Sequence, residues 1–595
     1  MPGLVLACFF VCASAHAQMH VVAHQGYWDT EGGAHNSLAS LRAAAALGCW
    51  GSEFDVMLTS DDIPVVHHNV KHGDVNIQTS PLSALQDFCL ENGEPIPTLE
   101  SYLQEALKLP ALHLVLEIKA HADSLRDVQA AQVITAMVER YGLASRTHYI
   151  AFSQTVCDAI HRLVPEADNA YLGGDMTPKE VAARGWNGID YRHDILLKKH
   201  PDWARQAQRL KLDVNIWTVD DADVLLLQLA TVPYYDYITT NNPKAIVHLQ
   251  GNMRGLPYLQ NPSSTAITVM YQTHRSCHSW VEYGVDTTQC QSARQLTGGQ
   301  EVVHDANHRV RLEGLQAGTP YYYRVCTQAL RLNEAYATTF GEVQYTPWYH
   351  FTLPTPGCKD YTAIVLNDMH SRASAMDAMA RVAATVDYDF VIFNGDCLPE
   401  PARPEDGMQA MQDLITRFDC ANHPCVFIRG NHEIRNAWSS GFPSLWETAS
   451  GKTYGAFTWG DTRFVILDLG EDKPDTTPVY AGLNDFDAFR HEQVTFLQEE
   501  LSSKAFRQAR HHVLVHHIPI WGNTDEYQPC TPLWEPVLQK APFDFDLCGH
   551  THRYREHATG EVGNPFPVYI GNGPGDPVMF VLTNRGGKLS IEKKK

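Results

Sequence analysis

From residue 21 onward, short apolar runs alternate with amphipathic stretches. Runs at Val21–Gly26, Trp50–Leu58, His113–Lys119, His148–Ser153, Ala170–Gly174, Gly188–Tyr191, Leu212–Val219 and Asp236–Thr240 predict strands. Between them, Ser37–Leu47, Leu99–Leu107 and Val128–Tyr141 carry the helical spacing. Eight strands with intervening helices point to an α/β TIM barrel. An open doubly wound sheet is the alternative, but no glycine-rich βα turn supports it.

The pattern then changes twice. Ile267, Val269 and Tyr271 alternate, as do Val281/Tyr283, Val310/Leu312 and Tyr321/Tyr323/Val325. Period-two runs split by Gly and Asn turns predict an all-β sandwich. This stretch shows no metal or catalytic cluster and reads as a spacer or docking module. Beyond it, Ala363–Leu366, Phe390–Asn394 and Val426–Arg429 are predicted strands that each run into a polar cluster. Met376–Val386 and Gln493–Leu501 are predicted amphipathic helices. Functional residues gathered at strand C-termini suit an α/β metallohydrolase. Two loop-like stretches, 251–257 and 352–357, divide the chain into 18–250, 251–357 and 358–595. There is no short internal repeat.

Residues 4–14 form an apolar run too short to span a bilayer, followed by Ala15-His16-Ala17. This reads as a secretory signal peptide, residues 1–17, although no Lys or Arg precedes the apolar run. A misassigned start or a buried N-terminal strand is the competing reading. No later stretch is long and apolar enough for a transmembrane helix. The mature chain is therefore expected to be soluble, and secreted or periplasmic.

Composition narrows the partners. The 595 residues suggest three or four domains, and 44% hydrophobic with 19% charged residues excludes wholesale disorder. Lys+Arg 46 against Asp+Glu 68 leaves a net charge of −22. With lysines clustered only at Lys593–Lys595, nucleic acid and anionic membrane are poor candidates for main partner. The 30 histidines are the unusual count and call for metal or acid–base sites. Export would permit disulfides, and Cys277/Cys290 and Cys420/Cys425 are the candidate local pairs. No CxxC occurs, and Cys548 is expected as buried packing.

Two constellations carry chemistry. In Glu53-Phe54-Asp55, positions i and i+2 share one face of a strand, so both carboxylates can grip one hard cation. Glu117 ends the next strand and can close the set. His24 and His68 end neighbouring strands and could serve as base and acid. The second constellation is Asp368-Met369-His370, Gly395-Asp396, Gly430-Asn431-His432-Glu433, His516-His517-Ile518-Pro519 and Gly549-His550-Thr551-His552. Again i and i+2 of the first motif are placed on one face at a strand end. Mixed N/O ligands suit Zn, Mn or Fe, and two such ions could clamp a phosphoryl group.

Residues 20–245 resemble the glycerophosphodiester phosphodiesterases. The matching pieces are His24-x-Gly26, Asn36-Ser37, Glu53-x-Asp55, Pro64-Val65-Val66-x-His68, Ile96-Pro97-Thr98-Leu99-Glu100, Leu116-Glu117-Ile118-Lys119 and Trp217-Thr218-Val219. The resemblance implies His24 and His68 as catalytic residues and Glu53, Asp55 and Glu117 as ligands of one Mg2+ or Ca2+. It also implies Lys119 and Trp217 at the substrate. Three positions depart from the family: Gln25 where Arg is usual, His35 where Glu is usual, and Asn69 where Asp is usual. Losing the Arg removes a bidentate phosphate clamp, for which Lys119 would partly compensate.

Residues 358–595 resemble the calcineurin-like metallophosphoesterases, which implies a sandwich of two sheets flanked by helices. The resemblance assigns Asp368, His370, Asp396 and His552 to metal one, and Asp396, Asn431, His517 and His550 to metal two. It makes His432 the acid at the leaving oxygen and prefers His517 to His516 on the His-x-Pro pattern. The middle segment, with Leu315, Gly318, Thr319, Tyr321 and Tyr323, resembles the fibronectin-type domain of purple acid phosphatases. Those enzymes' Tyr ligand is replaced by Pro399, and their Asp-x-Gly is Asp368-x-His370. A colourless centre is therefore expected.

Together these readings predict a secreted bifunctional enzyme. The barrel would cut glycerophosphodiesters to sn-glycerol 3-phosphate and alcohol, and the C-terminal domain would release phosphate. A second phosphodiesterase, or an exported binding protein on decayed scaffolds, is the alternative.

Overall fold

The computed structural model describes residues 20–220, 235–247, 251–398, 400–448 and 450–595. The apolar run and Ala15-His16-Ala17 lie outside them, as does Pro399. The chain divides into two compact units. One comprises residues up to 252 with 274–278 and 327–344. The other comprises 253–273, 279–326 and 345–595.

The first unit holds a closed parallel barrel. Its strands are His20–Ala23, Gly51–Leu58, His113–Ile118, Thr147–Ala151, Asn169–Tyr171, Gly188–Arg192, Asp213–Trp217 and Tyr237–Thr240, and the first pairs with both the second and the last. The eight predicted strands are these eight, and the open sheet is excluded. Pro64–Val66 adds an antiparallel strand at the second. Five of the strands end earlier than their apolar runs because the next residues start turns and caps. Ser153, for example, accepts from Val156 N as the N-cap of helix Gln154–Leu163. Alternation divides each strand between two environments. Phe54, Val56 and Leu58, with Leu114, Leu116 and Ile118, enter the core under the helices. Glu53, Asp55 and Glu117 therefore face the barrel interior. In the same unit, buried Arg331 donates to Asp236 Oδ2 at 2.7 Å and reaches Asp213 Oδ1 at 3.4 Å.

The second unit contains a two-sheet α/β domain. One sheet runs in the order Cys425–Ile428, Phe390–Asn394, Tyr361–Leu366, Met579–Arg585, Lys588–Lys594. The other runs Gly455–Trp459, Thr462–Ile466, His511–Val515, Phe545–Cys548, Val568–Ile570, Arg555–His557. Tyr361, Ala363 and Val365 pack between the sheets against Phe464, Val513 and Leu547. Ile364 and Leu366, one step out of phase, pack under helices with Met376 and Met411. Period two thus builds both interfaces of the layered sandwich.

The middle segment is all β. Tyr258–Gln260, Ile267–Gln272 and Asn307–Leu312 form one sheet; Cys277–Gly284, Pro320–Glu334 and Ala337–Tyr345 are the long strands of another. Val269, Tyr271, Val281, Val310, Tyr323 and Val325 make its core.

Neither candidate disulfide forms. Cys420 and Cys425 are buried free thiols, Cys425 donating to Leu259 O at 3.4 Å. Cys290 is an exposed free thiol. The register Tyr283↔Gln291 sets Cys290 beyond the far end of the strand that Cys277 opens. Cys548 is fully buried. No helix among the described residues is long and apolar enough to cross a membrane.

Candidate functional site

The barrel site is built on the pleat. Asp55 pairs with Glu117 in the register of the second and third barrel strands, and Glu53 precedes Asp55 by one full pleat. The three carboxylates are buried, with ligand atoms within 4.8 Å of one another. Burial, reinforced by Asp55, raises Glu53 well above the usual carboxylate range, and Glu117 is pushed up to about 8. Burial acts on Asp55 too, but Lys119 beside it wins and lowers it. Three acids packed this closely fit one cation with oxygen ligands. Lys119 partly supplies that charge, at 2.8 Å from Glu117 Oε1 and 3.2 Å from Asp55 Oδ1.

Around the carboxylates the chain turns sharply. Gln25 and Asn36 adopt left-handed φ of 54° and 59°. The turn aims Gln25 N at Glu53 Oε2, 2.8 Å away. Asn36 Nδ2 donates to Asp55 Oδ2 at 2.8 Å, and Asp55 N donates to Asn36 Oδ1 at 3.0 Å. Asn36 thus has a task that its motif did not reveal. His24 has its Nδ1 2.7 Å from Asn241 Oδ1 and its Nε2 3.9 Å from Glu53 Oε2. Asn241 in turn donates from Nδ2 to Asp220 Oδ2 at 3.0 Å. Burial lowers the His24 pKa.

His68 is close enough to Asp55 and His24 to shift both, and its Nδ1 lies 3.1 Å from Asn69 Oδ1. Asn69 therefore retains an acceptor where Asp is usual. His35 stacks on Trp28 with ring centroids 4.0 Å apart. Trp217 ends its strand half-buried, its Nε1 donating to Asp190 O at 3.0 Å.

The C-terminal site is built on loops. The strand Tyr361–Leu366 stops short of Asp368, so the pleat does not align Asp368 with His370. Left-handed turns do so instead: φ is 51° at Asp368, 47° at His370, 50° at Asp396, 70° at His550 and 53° at His552. Such backbone in non-glycine residues is strained and persists only where surroundings hold it. The glycines of the motifs permit close approach. A Cβ at Gly430 would stand 2.3 Å from Asp396 Oδ1, and one at Gly549 2.6 Å from Asp368 Oδ2. Glu433 ties the loops together, accepting from Asp396 N, Leu398 N and Gly430 N at 2.8–3.0 Å. Burial raises Glu433 to about 7.

The side chains converge in two groups, Asp368/His370/His552 and Asp396/His517/His550, each with ligand atoms within 4.8 Å. Asn431 joins the second, its Oδ1 3.0 Å from His550 Nδ1. A cation fits between them. His517 Nδ1 donates to Asn394 O at 2.8 Å, which turns Nε2 toward Asp396 Oδ2 only 3.0 Å away. That gap holds positive charge, either a proton on Nε2 or a cation in its place. Asp368 Oδ1 is likewise buried without a hydrogen-bond partner among the described residues. Burial opposes charge on His517, yet Asp396 and Asp368 raise it to about 10. His516 points away, its Nδ1 bonding Ile518 O and its Nε2 3.1 Å from Asp546 Oδ1.

His432 lies beside this pair of groups. Its N donates to Asp396 Oδ1 at 2.9 Å, and its Nδ1 lies 2.5 Å from Glu400 Oε1. Arg435 Nη1 stands 3.3 Å from His432 Nε2 while pairing with Glu471 and Asp472. Glu400, Glu471, Asp472 and Asp525 escape the motif reading, because they sit on connecting loops with no spacing signature.

Residues 24–244 match the Glycerophosphoryl diester phosphodiesterase family. A glycerophosphodiester phosphodiesterase from Parabacteroides distasonis is 40% identical, over 94% of that chain and 38% of this one, with a TM-score of 0.37. This chain belongs to the glycerophosphodiester phosphodiesterase family. Residues 257–353 match the Purple acid Phosphatase, N-terminal domain, and 361–554 match the Calcineurin-like phosphoesterase family. A purple acid phosphatase from yellow lupin (Lupinus luteus) is 16% identical, covering 58% of this chain and 72% of its own, with a TM-score of 0.45. An Oleispira antarctica phosphodiesterase, solved with the product sn-glycerol-3-phosphate, is 21% identical over 39% of this chain and 96% of its own, with a TM-score of 0.33. No curated protein matches the chain. This phosphodiesterase-family chain is thus a hydrolase with an additional metallophosphoesterase domain. Its families act on small-molecule phosphoesters, and the metallophosphoesterase and purple-acid-phosphatase-like domains imply divalent metals.

Proposed function

We propose that the protein is an exported bifunctional phosphoesterase. The barrel hydrolyses glycerophosphodiesters to sn-glycerol 3-phosphate and an alcohol, and the C-terminal domain releases phosphate from the phosphomonoester. The observation that carries this reading is the completeness of both donor sets. An all-oxygen triad and a mixed N/O set each retain groups that call for a cation. A decayed scaffold has no reason to preserve them.

In the barrel, Glu53, Asp55 and Glu117 would hold one Mg2+ or Ca2+, and in the C-terminal domain the two groups, with Asn431, would hold two Zn, Mn or Fe ions. Bound there, such ions supply Lewis-acid charge stabilisation and an acidified water. The chain's own residues do the rest. His24, held through Nδ1 by Asn241, presents Nε2 for proton transfer, and His68 serves as its partner on the other oxygen. Lys119 adds positive charge at the phosphate, and Trp217 walls the pocket. His432, oriented by Glu400, protonates the leaving alkoxide of the monoester. Export rests on the N-terminal apolar run.

Product analysis with glycerophosphocholine tests the pathway. Wild type releases choline and then inorganic phosphate. A wild type that stops at glycerol 3-phosphate contradicts the sequential reading and assigns the second domain another ester.

A further inference from the structure

We propose that Arg435 reads the alcohol half of the C-terminal domain's substrate, and that this site selects phosphomonoesters of vicinal diols, with a hydroxyl on the carbon next to the one that bears the ester oxygen. The inference names a substrate class for, and rests on, the phosphomonoesterase reading above.

Arg435 carries five N–H donors in a planar fork. Three of them are spent on carboxylates. Nε donates to Glu471 Oε2 at 3.1 Å, and Nη2 donates to Glu471 Oε1 at 2.6 Å and to Asp472 Oδ1 at 3.0 Å. The Glu471 side chain is only 1% exposed, so this bidentate pair fixes the plane of the guanidinium. The edge left over is Nη1. It stands 3.3 Å from His432 Nε2, and no other partner for it occurs among the described residues.

His432 Nε2 is also the atom that would meet the leaving oxygen. Glu400 holds the opposite ring nitrogen, and Nε2 looks toward Asp396 Oδ2, 3.9 Å away. Nη1 therefore flanks the position of the leaving oxygen, within reach of the first atoms of the alcohol. Once Nε2 turns its proton to that oxygen, it no longer accepts from Nη1, whose N–H groups then need another acceptor. A hydroxyl on the adjacent carbon supplies one. An alcohol without it leaves a fixed guanidinium edge unpaired, which is how a site built to bind a hydroxyl rejects the analogue that lacks it. The surrounding charge favours a neutral alcohol. Glu400, Glu471 and Asp472 outweigh Arg435 and Lys473, so an alcohol bearing a second phosphate or a carboxylate is repelled.

The test compares glycerol 3-phosphate with 3-hydroxypropyl phosphate, which differ by that one hydroxyl. Phosphate release by the full chain gives kcat/KM for each, and the ratio of the two is the readout. Wild type should favour glycerol 3-phosphate by about tenfold or more, the worth of a charge-assisted hydrogen bond. Arg435→Met should bring the ratio to about one. A purely structural role would slow both substrates in proportion and leave the ratio as it was; that result overturns the inference, as does a wild-type ratio near one. Removing the partner of buried Glu471 leaves an uncompensated charge that can prevent folding. Should Arg435→Met fail to fold by circular dichroism, Arg435→Lys decides. Its ammonium keeps Glu471 paired but presents no second edge, so the ratio should again fall to about one. An unchanged ratio in Arg435→Lys overturns the inference. Wild type that hydrolyses neither monoester removes the phosphomonoesterase reading itself, a result distinct from equal hydrolysis of both.

Discussion

The two sites of this chain reach similar chemistry by opposite routes. In the barrel, Glu53, Asp55 and Glu117 sit within regular strands, and the pleat alone delivers them to one face. In the C-terminal domain every ligand lies beyond its strand's end, and five of the site residues stand in left-handed backbone. A strand-built site needs little backbone strain and offers carboxylate oxygens at fixed pleat spacing. A loop-built site needs strained turns, close glycine contacts and a buried tie such as Glu433, but can converge carboxylates, an amide and imidazoles from five loops. The first suits one hard cation, the second a pair of borderline ones.

The sharpest way to break this comparison is to disable one site and watch the other. Glu53→Ala removes one of three carboxylates from a buried triad. The loss of charge stabilisation amounts to several kcal/mol, so diesterase activity should fall by about 10³-fold or more. Hydrolysis of glycerol 3-phosphate should continue at the wild-type rate. Diesterase activity retained in Glu53→Ala/His432→Ala would show that the barrel triad is not the diesterase centre.

His432→Ala is the complementary cut. Removing a general acid costs about 10²–10⁴-fold, so the variant should accumulate glycerol 3-phosphate from glycerophosphocholine. Choline release, which depends on the barrel, should be unaffected. Chromatography of products over time reads both. Phosphate appearing at the wild-type rate would mean that His432 is not the acid.

The same contrast explains what the sequence could reveal. Barrel strands and the carboxylate triad follow from period two, since Phe54 and Val56 mark one face and Glu53 and Asp55 the other. The C-terminal ligands were legible only as motifs. The i, i+2 argument for Asp368 and His370 does not hold, because turns rather than a pleat bring the two side chains together. Helix Phe486–Ser502 begins well before its predicted start at Gln493. The cause is Arg490, fully buried and donating to Leu469 O and Glu471 O, which interrupts the apolar stripe with a charge. Asn241, Glu400 and Asp525 could not be found, because each reaches its histidine across a fold that no local pattern encodes.

The metal-free protein should also distinguish the sites by pH. Glu117 titrates near 8 when folded and near 4.5 when unfolded, so the folded state keeps a proton that the unfolded state releases. Stability of that unit therefore falls as pH rises from about 4.5 to 8. His517 titrates near 10 when folded against 6.5 unfolded. Its contribution is complete below about 6.5 and is lost as pH rises toward 10. Thermal unfolding in chelator should show both declines, the barrel's at lower pH. Added Mg2+ should flatten the first only, and added Zn2+ the second. A single shared window would argue that the two centres are not independent.

The smallest effect concerns the phosphate clamp. Gln25 occupies the position where a bidentate Arg is usual in the family, and its backbone amide already bonds Glu53 Oε2. Lys119, the nearest cation to the triad, is held by Asp55 and Glu117 and is only partly available to a phosphate. Gln25→Arg should add a charge-assisted contact of about 1.5–3 kcal/mol, part of it offset by ordering the longer side chain. The barrel's KM should fall about tenfold with kcat little changed, since the contact is made equally to ground and transition states. Steady-state kinetics on glycerophosphocholine, followed by choline release, would measure it. A KM that stays put would mean that Lys119 swings to the phosphate once a cation neutralises the carboxylates. Combining Gln25→Arg with Lys119→Met separates the cases: the Arg should rescue binding in the double variant only if the two side chains serve the same oxygen atoms.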